Sequence, residues 1–225
     1  MLRFVTNNTT HSRRALAEEI RSFGVELEDE ELQTTPLAAA HALKGKRVLA
    51  LTMPAIVDDL EGIELVGEGA DAVLLGGADE GYDTNQVFSY YNLARAFAEL
   101  QDGAELYCLH KNRWWQTSRG AMLDAGVYVA GLEYATEMEA TVLGKPSAAY
   151  FAAALDALEY DPEQTWMVGD DVEADIGGAS AFGLRTILVR TGKFREEALD
   201  EATVKPDGVI DSIAALPDWL EAIDR

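Results

Sequence analysis

Residues 165–192 read TWMVGDDVEADIGGASAFGLRTILVRTG. An apolar run, Thr165 to Val168, meets Gly169, where the chain can turn sharply, and then three carboxylates, Asp170, Asp171 and Asp175. A small-residue helical pattern, ADIGGASAFG, leads into a second β-rich run from Arg185 to Gly192. Two strands joined by a helix in so short a span predict a parallel βαβ unit, because parallel neighbours need a crossover between them.

The same alternation runs outward through the rest of the chain. LRFVT (2–6), RVLAL (47–51), DAVLLGG (71–77) and ELYCLH (105–110) read as strands. SRRALAEEIRSFG (12–24) reads as a helix with Ser12 as its N-cap and Gly24 as its stop. In TNQVFSYYNLARAFAELQDG (84–103), Val87, Tyr90, Leu93, Ala94, Phe97 and Leu100 recur at helical spacing. KPSAAYFAAALDAL (145–158) predicts a helix with Pro146 in its first turn. The fold class is therefore α/β, a Rossmann-like layered arrangement on parallel sheet. No internal repeat or low-complexity linker interrupts it.

The chain has 225 residues, enough for one large domain or two modest ones. Its 40 acidic and 18 basic residues give a formal net charge of −22. Such a surface repels nucleic acid and anionic membrane, so neither is an expected partner. No apolar run approaches the roughly 20 residues of a membrane helix, and one cysteine, Cys108, suits a reducing interior. A soluble cytoplasmic protein is expected. The acidity is spread along the chain rather than gathered in a tail, which points to a saline setting, as in a halophile, where screening relieves self-repulsion. An ordinary acidic enzyme is the plainer reading.

Sheets of this kind bind ligands at the carboxyl ends of their strands, so the polar residues just past each strand carry the argument. In VGDDVEAD the three carboxylates repel one another unless a cation such as Mg²⁺ sits among them. Asp170, at the strand tip, is the candidate direct ligand, and Asp175, one helical turn beyond Asp171, stands behind it. An acidic helix start is the competing reading. Lys145, in VLGKP, can reach a bound anion as a point charge or can be a solvated surface lysine; only six lysines occur in the chain. Thr6 and Asn7, in VTNN, suit phosphate oxygens, although both residue types are also ordinary loop and capping residues. A hydroxyl, a lysine and an acidic cluster at strand tips together describe a phosphate-plus-metal site.

FVTNN (4–8), GKP (144–146) and GDDVEADIGGA (169–179) resemble, in order, the second, third and fourth motifs of the haloacid dehalogenase-like (HAD) phosphohydrolases. LEYATEMEATVLGKP (132–146) with GDDVEADIGGASAFGLRTILVRTGKF (169–194) resembles subfamily IIA, which carries a large α/β cap of the C2 type. The resemblance spans essentially the whole chain. It implies a Mg²⁺-dependent phosphatase acting on a small phosphorylated metabolite through an aspartyl-phosphate. By it, Thr6 and Asn7 bind the transferring phosphoryl group, Lys145 steadies its charge, Asp170 ligates the metal and Asp175 supports the metal shell. Asp171 matches a variable position and receives no catalytic role. The implied domains are a core, residues 1–51 and 139–225, and an inserted cap, residues 52–138.

One departure is large. The family's first motif, D-x-D-G, supplies the nucleophile and precedes the second; Thr6 is the sixth residue and no D-x-D-G occurs anywhere in the chain. The resemblance thus expects a strand–turn–helix segment of about 20–30 residues ahead of Met1, and a chain inactive as it stands. A phosphate- or metabolite-binding remnant without catalysis is the alternative. In the cap, HKNRWW (110–115) offers Lys111 and Arg113 to an anion and Trp114 and Trp115 as apolar platforms. The tryptophans read more simply as cap core or dimer contact, which favours a homodimer. Cys108 reads as core and His11 as a surface residue at a helix start. Asp79, Asp83 and Asn85 read as turn and capping residues, and His11, His41 and His110 share no metal-ligand spacing.

Overall fold

The computed structural model describes every residue except 82, 118, 157, 224 and 225. The chain forms two compact units, residues 1–144 and 145–225.

The first unit opens with β1 (Phe4–Val5), α1 (Arg13–Ser22), β2 (Leu32–Gln33) and α2 (Thr35–Ala42). Strands β1 and β2 pair in parallel, Phe4 opposite Leu32 and Val5 opposite Gln33. Helix α1 covers them through Ala17, Leu16 and Ile20, which pack with Phe4, Leu27 and Leu32. Its caps are those its sequence predicts: Ser12 Oγ accepts the Ala15 N–H at 3.3 Å, and Gly24 follows the helix at φ +84°.

Then come β3 (Arg47–Leu51), β4 (Glu64–Leu65), β5 (Ala72–Leu75), α3 (Asp83–Val87), α4 (Tyr90–Gln101) and β6 (Glu105–Cys108). A hairpin of β7 (Trp114–Thr117) and β8 (Gly120–Leu123), helix α5 (Gly126–Thr136) and β9 (Thr141–Val142) complete the unit. Five strands form one parallel sheet in the order β4-β3-β5-β6-β9. Central β5 is wholly buried, which is why AVLL shows no alternation. One face packs Leu49, Leu51, Val73, Leu75, Leu106 and Cys108 against Ala96 and Leu100 of α4 and Val129 and Leu132 of α5. Phe88 and Tyr128 stack across it at 4.2 Å.

Two sequence expectations change here. The helix expected over 84–103 is broken at Phe88–Ser89, because Ser89 Oγ accepts the Asn92 N–H and starts α4 afresh. Tyr90, expected on the apolar face, is 88% exposed as a result. The boundaries expected at 51/52 and 138/139 also cut through this sheet. Strand β3 pairs with β5, and β9 pairs with β6, so hydrogen-bond register, which composition does not reveal, keeps all of these strands in one unit.

The second unit contains α6 (Ala148–Asp156), β10 (Trp166–Gly169), a π-helix (Val172–Gly177), α7 (Gly178–Phe182), β11 (Arg185–Val189), α8 (Glu196–Glu201), β12 (Gly208–Ile210) and α9 (Leu216–Ile223). Its parallel sheet runs β10-β11-β12, with four register pairs from Trp166↔Arg185 to Gly169↔Leu188. Ile187, Val189 and Ile210 form a core against Trp166 and Trp219, whose rings meet edge to face at 5.2 Å. Helix α6 starts later than expected. Pro146 lies ahead of its first turn, after a cis Lys145–Pro146 bond, and Ser147 Oγ accepts the Tyr150 N–H.

The α/β reading with parallel sheet is what the structure contains. Among the described residues no helix is long and apolar enough to cross a membrane. Cys108 is core, as expected, and burial pushes its thiol up to about 12. The native protein at pH 8 is therefore expected to leave Ellman's reagent unreacted, and the unfolded chain to react fully. Rapid labelling of the native thiol would contradict this burial.

Candidate active site

The sharpest geometry lies just past β10. Asp171 caps the π-helix: its Oδ1 accepts the N–H groups of Glu173 at 3.1 Å and Ala174 at 2.9 Å. The Asp175 and Ile176 N–H groups share the Asp171 carbonyl, at 2.9 and 3.2 Å. In this widened turn, Asp175 Oδ2 accepts the Asp171 N–H at 3.2 Å. A Cβ on Gly169 would lie 2.3 Å from that oxygen, so the strand must end in glycine for the carboxylate to fit.

Asp175 Oδ1 accepts a hydrogen bond from Lys145 Nζ at 2.7 Å, with side chains only 6% and 10% exposed. A buried pair of this kind is satisfied only while both partners remain. Lys145 is thus no solvated surface lysine. Gly178 brings the segments together: a Cβ there would lie 2.7 Å from Pro146 Cα and 2.9 Å from the Phe151 ring.

Asp170 is held separately. Its Oδ2 accepts the Lys193 N–H at 2.7 Å, and Gly192, at φ +59°, lies so close that a Cβ would come within 1.9 Å of the same oxygen. Oδ1 has no hydrogen-bond partner among the described residues, so one carboxylate oxygen is open to a ligand. Among the described residues no group of three or more His, Cys, Asp and Glu is gathered to hold a metal ion. A Mg²⁺ ion needs no such cage, since it commonly binds through one or two carboxylates and keeps its waters. Asp170 fits that role as one arm. Asp175 is committed to Lys145 and to the Asp171 N–H.

Thr6 and Asn7 belong to the first unit. The Thr6 N–H extends the β1–β2 ladder to the Gln33 carbonyl at 3.0 Å, and Thr6 Oγ1 accepts the Asn8 N–H at 3.2 Å. Asn8 Oδ1 then accepts the N–H groups of Thr10 and His11, at 3.0 and 2.9 Å, closing an Asx turn. Asn7 Oδ1 accepts from Thr35 Oγ1 at 3.4 Å.

The residues of HKNRWW are placed as follows. Lys111 Nζ is bound by Glu133 Oε1 at 2.8 Å, a hydrogen bond that also raises the lysine pKa. This exposed ion pair ties Lys111 to α5. Arg113 is exposed. Trp114 and Trp115 lie on β7; Trp114 is 60% exposed opposite Leu123, so it is not cap core, while Trp115 is half-buried. Thr9, His110 and Asp124 form a buried polar cluster that no sequence motif marks, although His110 directly follows an apolar strand.

Two family models match the chain: a HAD-hydrolase-like model over residues 142–216 and a haloacid dehalogenase-like hydrolase model over residues 1–66. The haloacid dehalogenase-like hydrolase domain-containing protein 2 of Bos taurus is 38% identical over 208 residues, 92% of this chain and 76% of that protein. The chain belongs to the haloacid dehalogenase-like hydrolase family. The phospholysine phosphohistidine inorganic pyrophosphate phosphatase of Xenopus laevis is 36% identical over 98% of this chain and 80% of its own length. Among solved structures, a p-nitrophenyl phosphatase from Archaeoglobus fulgidus superposes with a TM-score of 0.85 at 28% identity, covering 98% of this chain and 85% of that one. A glycerol phosphate phosphatase from Mycobacterium tuberculosis, in complex with magnesium, superposes with a TM-score of 0.83 at 27% identity, covering 96% and 66%. These relatives agree with a subfamily IIA phosphatase of this family.

Proposed function

We propose that the protein is a Mg²⁺-dependent phosphatase for a small phosphomonoester. The observation that carries the reading is the buried Lys145–Asp175 pair, set in the same unit as an Asp170 carboxylate with one open oxygen. In this reading Thr6 and Asn7 hold phosphoryl oxygens by hydrogen bonds, and Lys145 opposes the charge that develops on them in the transition state. Asp175 fixes the lysine, and Asp170 Oδ1 would hold the metal. When bound, Mg²⁺ would supply charge neutralisation for the phosphoryl oxygens.

The attacking group of this reading is an Asp carboxylate of a D-x-D-G segment, which these 225 residues do not contain. Its oxygen bonds to phosphorus as the ester P–O bond breaks, and the leaving alkoxide takes a proton from the second Asp of that segment, which the attacking water later reprotonates. Water then cleaves the aspartyl-phosphate, releasing phosphate and restoring the carboxylate. A cytoplasmic enzyme in a saline cell, a homodimer among its assemblies, fits the acidic composition and the exposed Trp114.

The test is hydrolysis of p-nitrophenyl phosphate with and without Mg²⁺. The 225-residue chain is expected to show none. The same chain extended at its N-terminus by a strand–helix segment bearing D-x-D-G is expected to turn over, and to stop on addition of EDTA. Phosphate binding without turnover by the extended chain would favour the non-catalytic module instead. Turnover by the unextended chain would refute the placement of the nucleophile.

A further inference from the structure

The loop after β1 ends in a side chain that is buried within the first unit. Thr9 is 4% exposed, and its Oγ1 lies 3.0 Å from Nε2 of His110, itself 6% exposed. The other ring nitrogen assigns the tautomer. The Asn112 N–H points at Nδ1 from 3.3 Å, so Nδ1 accepts and Nε2 carries the hydrogen. That hydrogen faces Thr9 Oγ1, with Asp124 Oδ1 3.7 Å away. Asp124 is itself held by the N–H groups of Ala125 at 2.7 Å and Ala78 at 3.3 Å. Burial lowers the His110 pKa, against an opposing pull from Asp124, which keeps the ring in its neutral donor form.

The docking is also steric. A Cβ on Gly77 would lie 2.0 Å from Thr9 Oγ1 and 3.1 Å from His110 Nε2, so the loop seats where only glycine leaves room. Thr6 and Asn7 are anchored to the Gln33 carbonyl and to Thr35 Oγ1, while Thr6 Oγ1 and Asn8 Oδ1 tie residues 8, 10 and 11 back onto the loop itself. Its outer end is exposed at His11. The Thr9–His110 contact is a buried side-chain bond that joins residues 6–11 to the carboxyl end of β6.

We propose that His110 is a positioning residue: by donating Nε2–H to Thr9 Oγ1 it clamps the 6–11 loop in the conformation that presents Thr6 and Asn7 to a phosphoryl group. The presentation rests on the phosphate-binding role proposed above; the clamp does not. Asp124 Oδ1 lies 3.7 Å from the same ring nitrogen, beside the bond.

Amide hydrogen exchange of the full chain tests the clamp, and NMR titration with inorganic phosphate, followed at the Thr6 and Asn7 amides, tests the presentation. In Thr9→Val, which removes the acceptor, the Asn8, Thr10 and His11 amides are expected to exchange about tenfold faster or more, while β5 and β6 are unchanged. Phosphate affinity is expected to fall by a similar factor. Thr9→Ser, which keeps the hydroxyl, and His110→Gln, whose amide can reach the same oxygen, are expected to stay within about threefold of the native protein. Unchanged loop exchange in Thr9→Val overturns the proposal, and so does equal loosening of β5 and β6, which would mark a merely structural bond. If the native chain fails to bind phosphate while Thr9→Val still frees the loop, the clamp stands and the phosphate-binding reading is what fails.

Discussion

Lys145→Ala destabilises the second unit by about 3–5 kcal/mol, the cost of leaving a buried carboxylate without its partner. Asp175 is 4% exposed, and its Oδ1 has the Lys145 ammonium at 2.7 Å. Water cannot replace the lysine without opening the packing around Gly169, where the carboxylate occupies the space a Cβ would need. Hydrogen exchange at β10 and β11 reads the loss: protection is expected to fall by roughly two to four decades, one decade per 1.36 kcal/mol. A second change separates charge from packing. Asp175→Asn keeps an acceptor for the Asp171 N–H while removing the charge, so Lys145→Met with Asp175→Asn is expected to regain most of the loss. Should Lys145→Ala cost less than about 1 kcal/mol, the pair is solvated in solution, as an exposed ion pair would be.

The second large effect contrasts two adjacent glycines. Gly178→Ala is expected to cost about 3 kcal/mol, the upper end of overpacking, because its Cβ would lie 2.7 Å from Pro146 Cα, a backbone atom that cannot swing aside. The displaced atom belongs to the residue after Lys145, so the strain also spreads to the Lys145–Asp175 bond. At Gly177 the nearest atom to a Cβ is the Val172 carbonyl oxygen at 3.5 Å, an ordinary contact. Gly177 has φ −60° and ψ −47°, helical values that alanine prefers, so Gly177→Ala is expected to be neutral or to stabilise by about 0.5–1 kcal/mol. Urea midpoints of the two variants decide it. Equal effects would mean that Pro146 does not pack on the helix as described.

Much of this was legible in the linear chain. The apolar runs at 47–51, 72–75, 105–108 and 185–189 lie where strands form, since burial on both faces of a parallel sheet writes itself as continuous hydrophobicity. Ser12 and Gly24 bound α1 as local capping chemistry requires. The motif order at Thr6, Lys145 and Asp170 named the family that the comparisons establish. The break at Ser89 and the late start of α6 were less legible. Serine and proline each have two local roles, and only the folded backbone selects one.

Partnership is what the sequence could not express. By itself it determined the α/β class, the parallel strands and the family, because these depend on periodicity and on short motifs. The tertiary structure alone decided that Lys145 is buried against Asp175, that Lys111 is held by Glu133, and that Asp171 is a helix cap. It also joined Thr9 to His110 across 101 positions of sequence. A side chain's charge and hydrogen-bonding capacity are set by its type, but what satisfies them is set by contacts between residues distant in sequence. Those contacts exist only once the sheets have formed.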